Sequence, residues 1–282
     1  NAYTNYTCAV IEEAYARCNP DGGPMELNSA YISYKKALEM CPDNTLLRKK
    51  VLQLAQELQM TDDYEEMQRR FAETDGENSP VQSPPGNGAT LVILYEEGFV
   101  PQLQPIKIPI PTPNGVISVD FPIYNFDRDE PGVLQVYVGQ DLVGETELYC
   151  DMRVLAVKSL KERLPLILAR EVVRSAISAV AQDQAKKRAG TAGVLLGSTY
   201  ELIMRKADLR GFYTLPRYCQ AVHIPLPEGT HTVQLRPSRV EGTEEEIVIN
   251  NGDFCVLHLI NLNSRMVTQK IIIKNEKASV GV

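Results

Sequence analysis

The sequence contains no tryptophan and only three histidines among its 282 residues. It also lacks the Gly-x-Ser-x-Gly and His-Glu-x-x-His motifs, so the commonest sequence signals of hydrolases are missing. Each histidine lies in strand-like sequence with no nucleophile pattern nearby, which favours a structural or surface role for His223, His231 and His258. The sequence predicts no catalytic residue, and only a site assembled from distant residues stays open as an enzymatic alternative.

Basic residues are also scarce relative to acidic ones. The chain has 29 Lys and Arg against 36 Asp and Glu, a net charge of −7 and an isoelectric point near 5.2. Because phosphate backbones are bound by basic surfaces, we expect no nucleic-acid partner. The apolar stretch 192–204 is shorter than the roughly 20 residues that cross a bilayer, and it contains Glu201. Membrane attachment is therefore expected only through an N-terminal anchor outside this sequence.

The six cysteines are scattered and form no metal-binding pattern. None belongs to a Cys-x-x-Cys pair and none has a histidine at metal-ligand spacing, so we expect no metal and no cofactor. Single cysteines in apolar segments are usually buried thiols, although an even number permits disulfides. The best candidate pair is Cys8 and Cys41, because antiparallel packing of the first two predicted helices would bring these residues close together.

Residues 1–75 have the periodicity of a helical array. In the second predicted helix, alanine, aromatic, alanine and proline recur at spacings typical of the second helix of a tetratricopeptide repeat. In such repeats the small residues let paired helices approach, the aromatic fills the seam and the proline ends the helix. The residues that fit this repeat-packing pattern are Ala30, Tyr34, Ala37 and Pro42.

A single repeat of this kind cannot bury its own apolar faces. The sequence therefore predicts that more repeats precede Asn1 in a longer protein, or that another chain covers this end of the array. The alternative is a self-contained helical hairpin that is capped by the β-rich region of the same chain.

The composition changes after the helices. Residues 76–90 are rich in Pro, Gly, Ser and Asn and predict a linker. Residues 91–282 predict a domain of short strands separated by Pro and Gly turns, with a tight hairpin at 250–253. The predicted fold class is α+β, with tetratricopeptide-like helical hairpins followed by a mainly antiparallel β domain that carries an inserted helix pair.

The predicted helical insert covers residues 151–209. Apolar residues recur every three or four positions from Val154 to Val180, which predicts one helix face buried against a core. Pro165 lies inside this pattern, so a kink or two abutting helices are expected there. The glycine-containing stretch 190–197 follows a helix and lacks a Gly-Lys-Ser/Thr ending, which predicts a helix–helix turn and not a phosphate-binding loop.

Two combinations of polar and aromatic residues are candidate interface sites, because aromatic and arginine side chains commonly anchor interfaces. One lies at the end of the first strand of the β domain, and the other lies at the end of the helical insert. Packing around a strand end is an equal alternative for both. The candidate interface residues are Tyr95, Glu96, Asp208, Arg210, Phe212 and Tyr213.

Carboxylates supply the enzymatic alternative. Glu96 or Glu97 could act with Asp127 or Asp129 as acid and base on a polysaccharide, if two of them lay about 5 to 10 Å apart across a cleft. Asp127, Asp129 and Glu130 also form an acidic turn that could hold calcium together with carbonyl oxygens, although a solvated loop is the default for such a cluster.

Five stretches spread over nearly the whole chain carry a resemblance to a known family. They are Asn1-Ala-Tyr3, Ala30-Tyr-Ile-Ser-Tyr-Lys-Lys-Ala-Leu-Glu39, Leu91-Val-Ile-Leu-Tyr-Glu-Glu-Gly98, Ala207-Asp-Leu-Arg210 with Thr214-Leu-Pro216, and Ile224-Pro-Leu-Pro-Glu-Gly-Thr-His231. Together they resemble an uncharacterised family of bacterial envelope proteins, in which tetratricopeptide-like helices precede a C-terminal β-rich domain and many members look like outer-membrane lipoproteins. The family's upstream repeats and lipid-attachment cysteine have no counterpart in this sequence.

The resemblance implies a periplasmic or outer-membrane-associated location. Genes of this family lie in the genomic neighbourhood of lipoprotein activators of penicillin-binding proteins, and the resemblance therefore implies a link to peptidoglycan synthesis. With the residue patterns, it predicts a non-enzymatic protein-binding or assembly module of the cell envelope, whose partner is a protein, a second copy of the chain or a cell-wall polymer. The alternatives are a structural subunit of a larger envelope or surface assembly, and an enzyme that acts on the cell wall or another polysaccharide.

Overall fold

The computed structural model divides the chain into two compact units. It describes residues 1–75, 88–112, 115–125, 129–170, 173, 187, 209–211, 213–262 and 265–279, without the side chains of 72–75, 110–119 and 278–279. The first unit contains Asn1–Gly98, Glu130–Asp151 and Pro216–Val282, and the second contains Phe99–Asp129 and Met152–Leu215. The second unit is thus built from two insertions into the sequence of the first.

Four helices open the first unit: α1 (Ala2–Cys18), α2 (Pro24–Met40), α3 (Thr45–Glu57) and α4 (Thr61–Asp75). Local side chains fix where they begin. Asn1 caps α1 by accepting a hydrogen bond from the amide of Thr4 at 2.8 Å. Asn44 caps α3 in the same way through the amide of Leu47, at 2.7 Å. Proline opens α2, where its missing N–H costs no helical hydrogen bond.

The strands form two sheets in the first unit. A five-stranded sheet has the order β11-β10-β1-β7-β6, and a four-stranded sheet has the order β5-β4-β8-β9. Most registered pairs are antiparallel, but β1 and β10 pair in parallel. The strands of this unit are β1 (Ala89–Phe99), β4 (Leu134–Val138), β5 (Asp141–Glu145), β6 (Glu147–Asp151), β7 (Pro216–Leu226), β8 (Gly229–Pro237), β9 (Thr243–Ile249), β10 (Phe254–Asn261) and β11 (Met266–Ile273).

The first unit has three layers, because alternate residues of the five-stranded sheet enter two different cores. On one face, Val92, Tyr149 and Phe254 pack with the buried side chains of the helices. On the other face, Leu91 and Leu257 pack with the inner side chains of the four-stranded sheet. Side chains alternate between the two faces of a strand, so β1, β7 and β10 each contribute to both cores. The α+β fold class is confirmed.

The helices and the sheet share one core, which differs from the predicted division at the linker. Tyr6 of α1 and Tyr34 of α2 belong to the same buried cluster as Ala221 of β7. The sheet therefore covers the inner face of the helices. The likeness to a tetratricopeptide repeat stays a prediction.

Two connections pass from one sheet of the first unit to the other. The first joins β5 to β6, which are consecutive strands but belong to different sheets. Thr146 lies between them and is held at the corner, since its hydroxyl donates to Gln220 Oε1 at 2.6 Å and accepts from the Leu134 amide at 3.0 Å. The turn at 250–253 is tight, as predicted, but it joins β9 of one sheet to β10 of the other and is not a hairpin.

The second unit contains a two-stranded sheet and a helix. Strands β2 (Leu103–Thr112) and β3 (Gly115–Tyr124) pair in antiparallel register. Helix α5 covers residues 152–170, with helical conformation also at 173 and 187. It continues through Pro165 without a break in the helix. No residue of 152–170 is buried, and Val154 is 63% exposed. The predicted burial of one helix face is therefore wrong for this stretch.

Candidate functional site

A carboxylate at the centre of the helical layer organises a buried network of charges. Glu13 of α1 is 1% exposed and its oxygens have three close donors. Lys50 Nζ of α3 lies 2.6 Å and Arg17 Nε lies 2.8 Å from Oε1, and the Tyr34 hydroxyl of α2 donates to Oε2 at 2.9 Å. Because each donor comes from a different part of the layer, Glu13 links α1, α2 and α3.

The network continues to the sheet through His223 of β7. Lys50 Nζ lies 3.4 Å from His223 Nε2, and the Tyr6 hydroxyl lies 3.4 Å from Nδ1. A lysine ammonium can only donate, so Nε2 of the neutral imidazole accepts and Nδ1 carries the proton. The Tyr6 ring packs against Tyr149 of β6 with centroids 4.3 Å apart. The polar network therefore ties the helical layer to the sheet below it.

Burial and charge shift the protonation equilibria of this network. Burial raises the pKa of Glu13, but the positive charges of Lys50 and Arg17 outweigh it and hold that pKa well below its ordinary value. Burial and then the charge of Lys50 lower the pKa of His223 to about 3. Burial also lowers the pKa of Lys50, against the attraction of Glu13. At neutral pH the network thus contains a carboxylate, an ammonium and a neutral imidazole.

Its chemistry is that of a closed structural network. Glu13, Lys50 and Tyr34 are each at most 8% exposed, so a substrate has no access to the carboxylate. Buried charges persist when they are paired and hydrogen-bonded, as these are. The network fixes the packing of the helices on the sheet and so positions the surface that these helices present.

The helices α2, α3 and α4 form a groove on that surface, which we call the α2–α4 groove. It encloses about 200 Å³. Its apolar floor is made by Leu38 and Met67, both 7% exposed, and by Phe71. The lining residues are Lys35, Leu38, Glu39, Pro42, Asp43, Arg48, Asp63, Glu66, Met67, Arg70 and Phe71.

Charged side chains of both signs form the rim of the α2–α4 groove. Lys35 Nζ lies 2.8 Å from Asp63 Oδ2, which also accepts a hydrogen bond from the Tyr31 hydroxyl at 2.9 Å. These two hydrogen bonds lower the pKa of Asp63. At the other end, the Arg48 guanidinium lies 5.2 Å from the centroid of the Phe71 ring, within cation–π range. The groove therefore combines an apolar floor with a charged rim that contains an ion pair.

Three residues of the predicted repeat pattern lie in the buried core of the helices, and the fourth lines the α2–α4 groove. Ala30, Tyr34 and Ala37 are completely buried, and Tyr34 contacts Tyr6 with ring centroids 5.6 Å apart. Pro42 follows the end of α2 and lines the α2–α4 groove. The packing role expected for the alanines and the tyrosine agrees with their burial.

The predicted interface residues are placed differently. Tyr95 is 1% exposed, and its hydroxyl accepts a hydrogen bond from Asn261 Nδ2 at 2.9 Å, so it packs inside the sheet sandwich. Glu96 accepts a hydrogen bond from the Tyr3 hydroxyl at 3.2 Å. Arg210 and Tyr213 are described in the second unit, whereas two members of the set lie outside the described residues. Those two are Asp208 and Phe212.

Two of the carboxylates proposed as acid and base, Glu96 and Glu97, do not face the same side of the sheet. Glu96 and Glu97 are consecutive residues of β1 and point to opposite faces of the sheet. Glu96 lies 3.2 Å from His258 Nε2, beneath the helices. Glu97 is 5% exposed and accepts a hydrogen bond from the Gly132 amide at 2.8 Å. Asp127 lies outside the described residues.

In the acidic turn proposed for calcium, two backbone carbonyl oxygens already accept hydrogen bonds from arginine side chains. Arg153 donates to the carbonyl of Asp129 at 3.1 Å. Arg239 donates to the carbonyl of Glu130. Among the described residues, no group of three or more His, Cys, Asp or Glu side chains is placed to hold a metal ion.

The six cysteines are thiols in this structure. The first two helices do pack in antiparallel fashion, but Cys8 and Cys41 point to different surroundings. Cys8 is exposed, whereas Cys41 Sγ donates to the Leu148 carbonyl of β6 at 3.4 Å. The pair favoured by the sequence is therefore not bridged.

Comparison of the chain with protein-family models, with curated proteins and with solved structures gives no match. No helix in the described part of the chain has both the length and the apolar character needed to cross a membrane. The α2–α4 groove and the residues that hold it in place are therefore the features of this chain that bear on its function.

Proposed function

We propose that this chain is a non-enzymatic protein-binding module of the bacterial cell envelope, and that the α2–α4 groove takes an apolar side chain of a partner segment. The observation that supports this is the groove itself. Its volume of about 200 Å³ is below the roughly 300 to 1,000 Å³ of typical small-molecule pockets. It has room for one or two side chains of a peptide and not for a cofactor.

The surroundings of the groove support a protein partner. An apolar floor surrounded by charged residues is the usual composition of a protein-binding surface. The floor is held from below, because Leu38 and Met67 belong to the core that the helices share with the sheet. A preformed groove of this kind loses little conformational entropy when it binds. The envelope location and the link to peptidoglycan synthesis follow from the resemblance described above.

Site-specific photo-cross-linking in bacterial cells tests this function. A benzoylphenylalanine at Glu66 lies on the rim of the groove, whereas one at Glu65 is a matched control on the same helix that does not line it. We expect a discrete cross-linked protein from position 66 and much less of it from position 65. Equal yields from the two positions, or none from either, would contradict the proposal.

A second candidate function is permanent assembly into a larger envelope structure. Large apolar side chains on the outer surfaces of α1 and α2 support it, since Ile11 is 68% exposed and Met25 is 78% exposed. Light scattering of the purified chain distinguishes the two candidates. Assembly would be favoured by a uniform oligomer that becomes a monomer when Ile11 and Met25 are replaced by glutamine. A monomer at micromolar concentration would count against assembly.

A further inference from the structure

Two buried cysteines lie directly opposite each other at the edge of the five-stranded sheet. Cys150 of β6 pairs with Cys219 of β7 in antiparallel register. Opposed residues of antiparallel strands have Cα atoms about 4.5 to 5.5 Å apart and side chains on the same face. A disulfide needs a Cα separation of about 4.4 to 6.8 Å. The spacing typical of directly opposed residues therefore lies within the range that a disulfide needs.

A bulge brings the thiol of Cys150 to this position. The register advances from Leu148–Gln220 to Cys150–Cys219, so Tyr149 is an extra residue of β6 with no partner on β7. Tyr149 packs against Tyr6 beneath the helices. Bulges let one strand re-aim its side chains, and this one puts Cys150 opposite Cys219.

The two thiols share one buried environment. Cys150 is 7% exposed and Cys219 is 2% exposed. Burial, and next the neighbouring Cys150, raise the pKa of Cys219. Burial raises the pKa of Cys150 to about 11. Each thiol is therefore protonated and slow to react while β6 stays paired.

We propose that Cys150 and Cys219 form a disulfide when the chain meets an oxidising disulfide donor, and that this bond closes the base of the inserted segment Met152–Leu215. The insertion begins two residues after Cys150 and ends four residues before Cys219. The bond therefore holds the two ends of that segment together.

The oxidation is a pair of thiol–disulfide exchanges. The Cys150 thiolate attacks one sulfur of the donor, which is either a small-molecule disulfide or the active-site disulfide of an oxidoreductase, and one donor thiol leaves. The Cys219 thiolate then attacks the Cys150 sulfur of the mixed disulfide, and the second donor thiol leaves. Both cysteine protons end on the departing thiols, so the protein is oxidised by two electrons and the donor is reduced by two.

The order of attack follows from access. Cys150 is the less buried thiol, and it lies beside a bulge on a five-residue strand at the edge of the sheet. Short edge strands open locally more easily than central strands do. Opening of β6, or oxidation before β6 has paired during folding, exposes Cys150 first.

The test uses the full chain, reduced, purified and then incubated with oxidised glutathione. After acid quenching and denaturation, a maleimide mass tag counts the remaining thiols, and peptide mapping locates any new bond. We expect two fewer taggable thiols than the six of the reduced chain, and one cross-linked peptide pair that contains Cys150 and Cys219. The oxidised chain should also unfold at a higher urea concentration, and dithiothreitol should reverse this shift.

Serine variants make the outcome specific. Cys219→Ser should stop at the mixed disulfide and carry one glutathione on Cys150, and Cys150→Ser should leave Cys219 reduced. Cys8→Ser, a change at an exposed thiol, should leave the bond intact. A mapped bond between Cys150 and Cys41, the neighbour whose Sγ donates to Leu148, would overturn the proposal. So would the retention of all six thiols at a urea concentration that half-unfolds the chain.

Discussion

Lys50 Nζ lies 2.6 Å from Glu13 Oε1 at a depth where neither residue is more than 8% exposed. Removing one partner of a buried ion pair leaves the other charge without compensation. The free energy of unfolding should therefore fall by about 3 to 5 kcal/mol in Lys50→Met. Urea denaturation measures this change. Lys49→Met is the matched control, because Lys49 is the adjacent residue of α3 and is exposed. It should lie within about 0.5 kcal/mol of the parent.

A double variant tests whether the pair acts as a unit. In Glu13→Gln with Lys50→Met, neither charge remains buried without its partner. The double variant should lose clearly less stability than the sum of the two single variants, because residues in one network are not additive. Additive losses in the same urea experiment would show that the 2.6 Å contact carries no coupling.

Acidification should destabilise the first unit through His223. Burial and Lys50 lower the pKa of this residue from 6.5 to about 3 in the folded chain. Between these values the unfolded chain binds a proton that the folded chain does not, so stability falls as pH falls. The loss between pH 6.5 and pH 5 should be roughly 2 kcal/mol, at about 1.4 kcal/mol per pH unit. Below pH 4.5 the low pKa of Glu13 adds a loss in the same direction.

Urea midpoints at pH 7 and pH 5 measure the effect, and two asparagine variants identify its source. His223→Asn removes the titrating group, so its midpoint should depend less on pH than that of the parent. His231→Asn changes a histidine whose Nε2 contacts only the Pro227 carbonyl among its described polar contacts, at 2.8 Å. The urea midpoint of this variant should depend on pH as that of the parent does. Equal slopes for all three proteins would assign the pH effect to other groups.

Tyr34 tests whether the helices and the sheet unfold together. Tyr34→Ala removes a fully buried aromatic and should cost about 3 to 5 kcal/mol. Because α1 shares its core with Ala221 and Tyr149, hydrogen exchange should quicken in the five-stranded sheet as well as in the helices. Tyr34→Phe keeps the ring and loses only the hydrogen bond to Glu13, so it should cost about 1.5 to 3 kcal/mol. Quickening confined to residues 1–75 would show independent domains.

The turn at Gly132 tolerates no side chain without adjustment. A Cβ at this position would lie 2.7 Å from Ser238 Oγ and 3.1 Å from Glu97 Oε1. Gly132→Ala should therefore cost about 1 to 3 kcal/mol. Adding Ser238→Ala removes the closer of the two atoms, so the double variant should regain part of the stability that Gly132→Ala loses. Thermal unfolding measures this recovery. No recovery would assign the cost to the carboxylate side of the turn.

Local patterns in the sequence were sufficient to predict helices, strands and turns, but they were not sufficient to predict how the strands pair. The starts of α1 and α3 follow from Asn1 and Asn44, since capping depends only on neighbouring residues. The tight turn before Asp253 was also predictable. Its topology was not, because nothing local shows that the chain passes from one sheet to another there.

The buried network was missed for a related reason. Glu13 lies three residues after Val10, and Lys50 lies three residues after Leu47, so each occupies a position on an apolar helix face. Charges at such positions are a signal of buried pairing. Sequence alone does not show which charge meets which, since the pairing depends on how α1 and α3 pack. The α2–α4 groove is equally a product of packing between helices.

The parallel pairing of β1 with β10 has a consequence for synthesis of the chain. Residues 89–99 lie beside residues 254–261 in the sheet, so the ribosome must make more than 150 further residues after β1 before that contact can form. Until then the apolar inner faces of α1 and α2 have no complete sheet beneath them. The nascent chain thus exposes the apolar surface that these helices turn towards the sheet until β10 has been made, and this interval is when chaperones or a folding partner have the most to contribute.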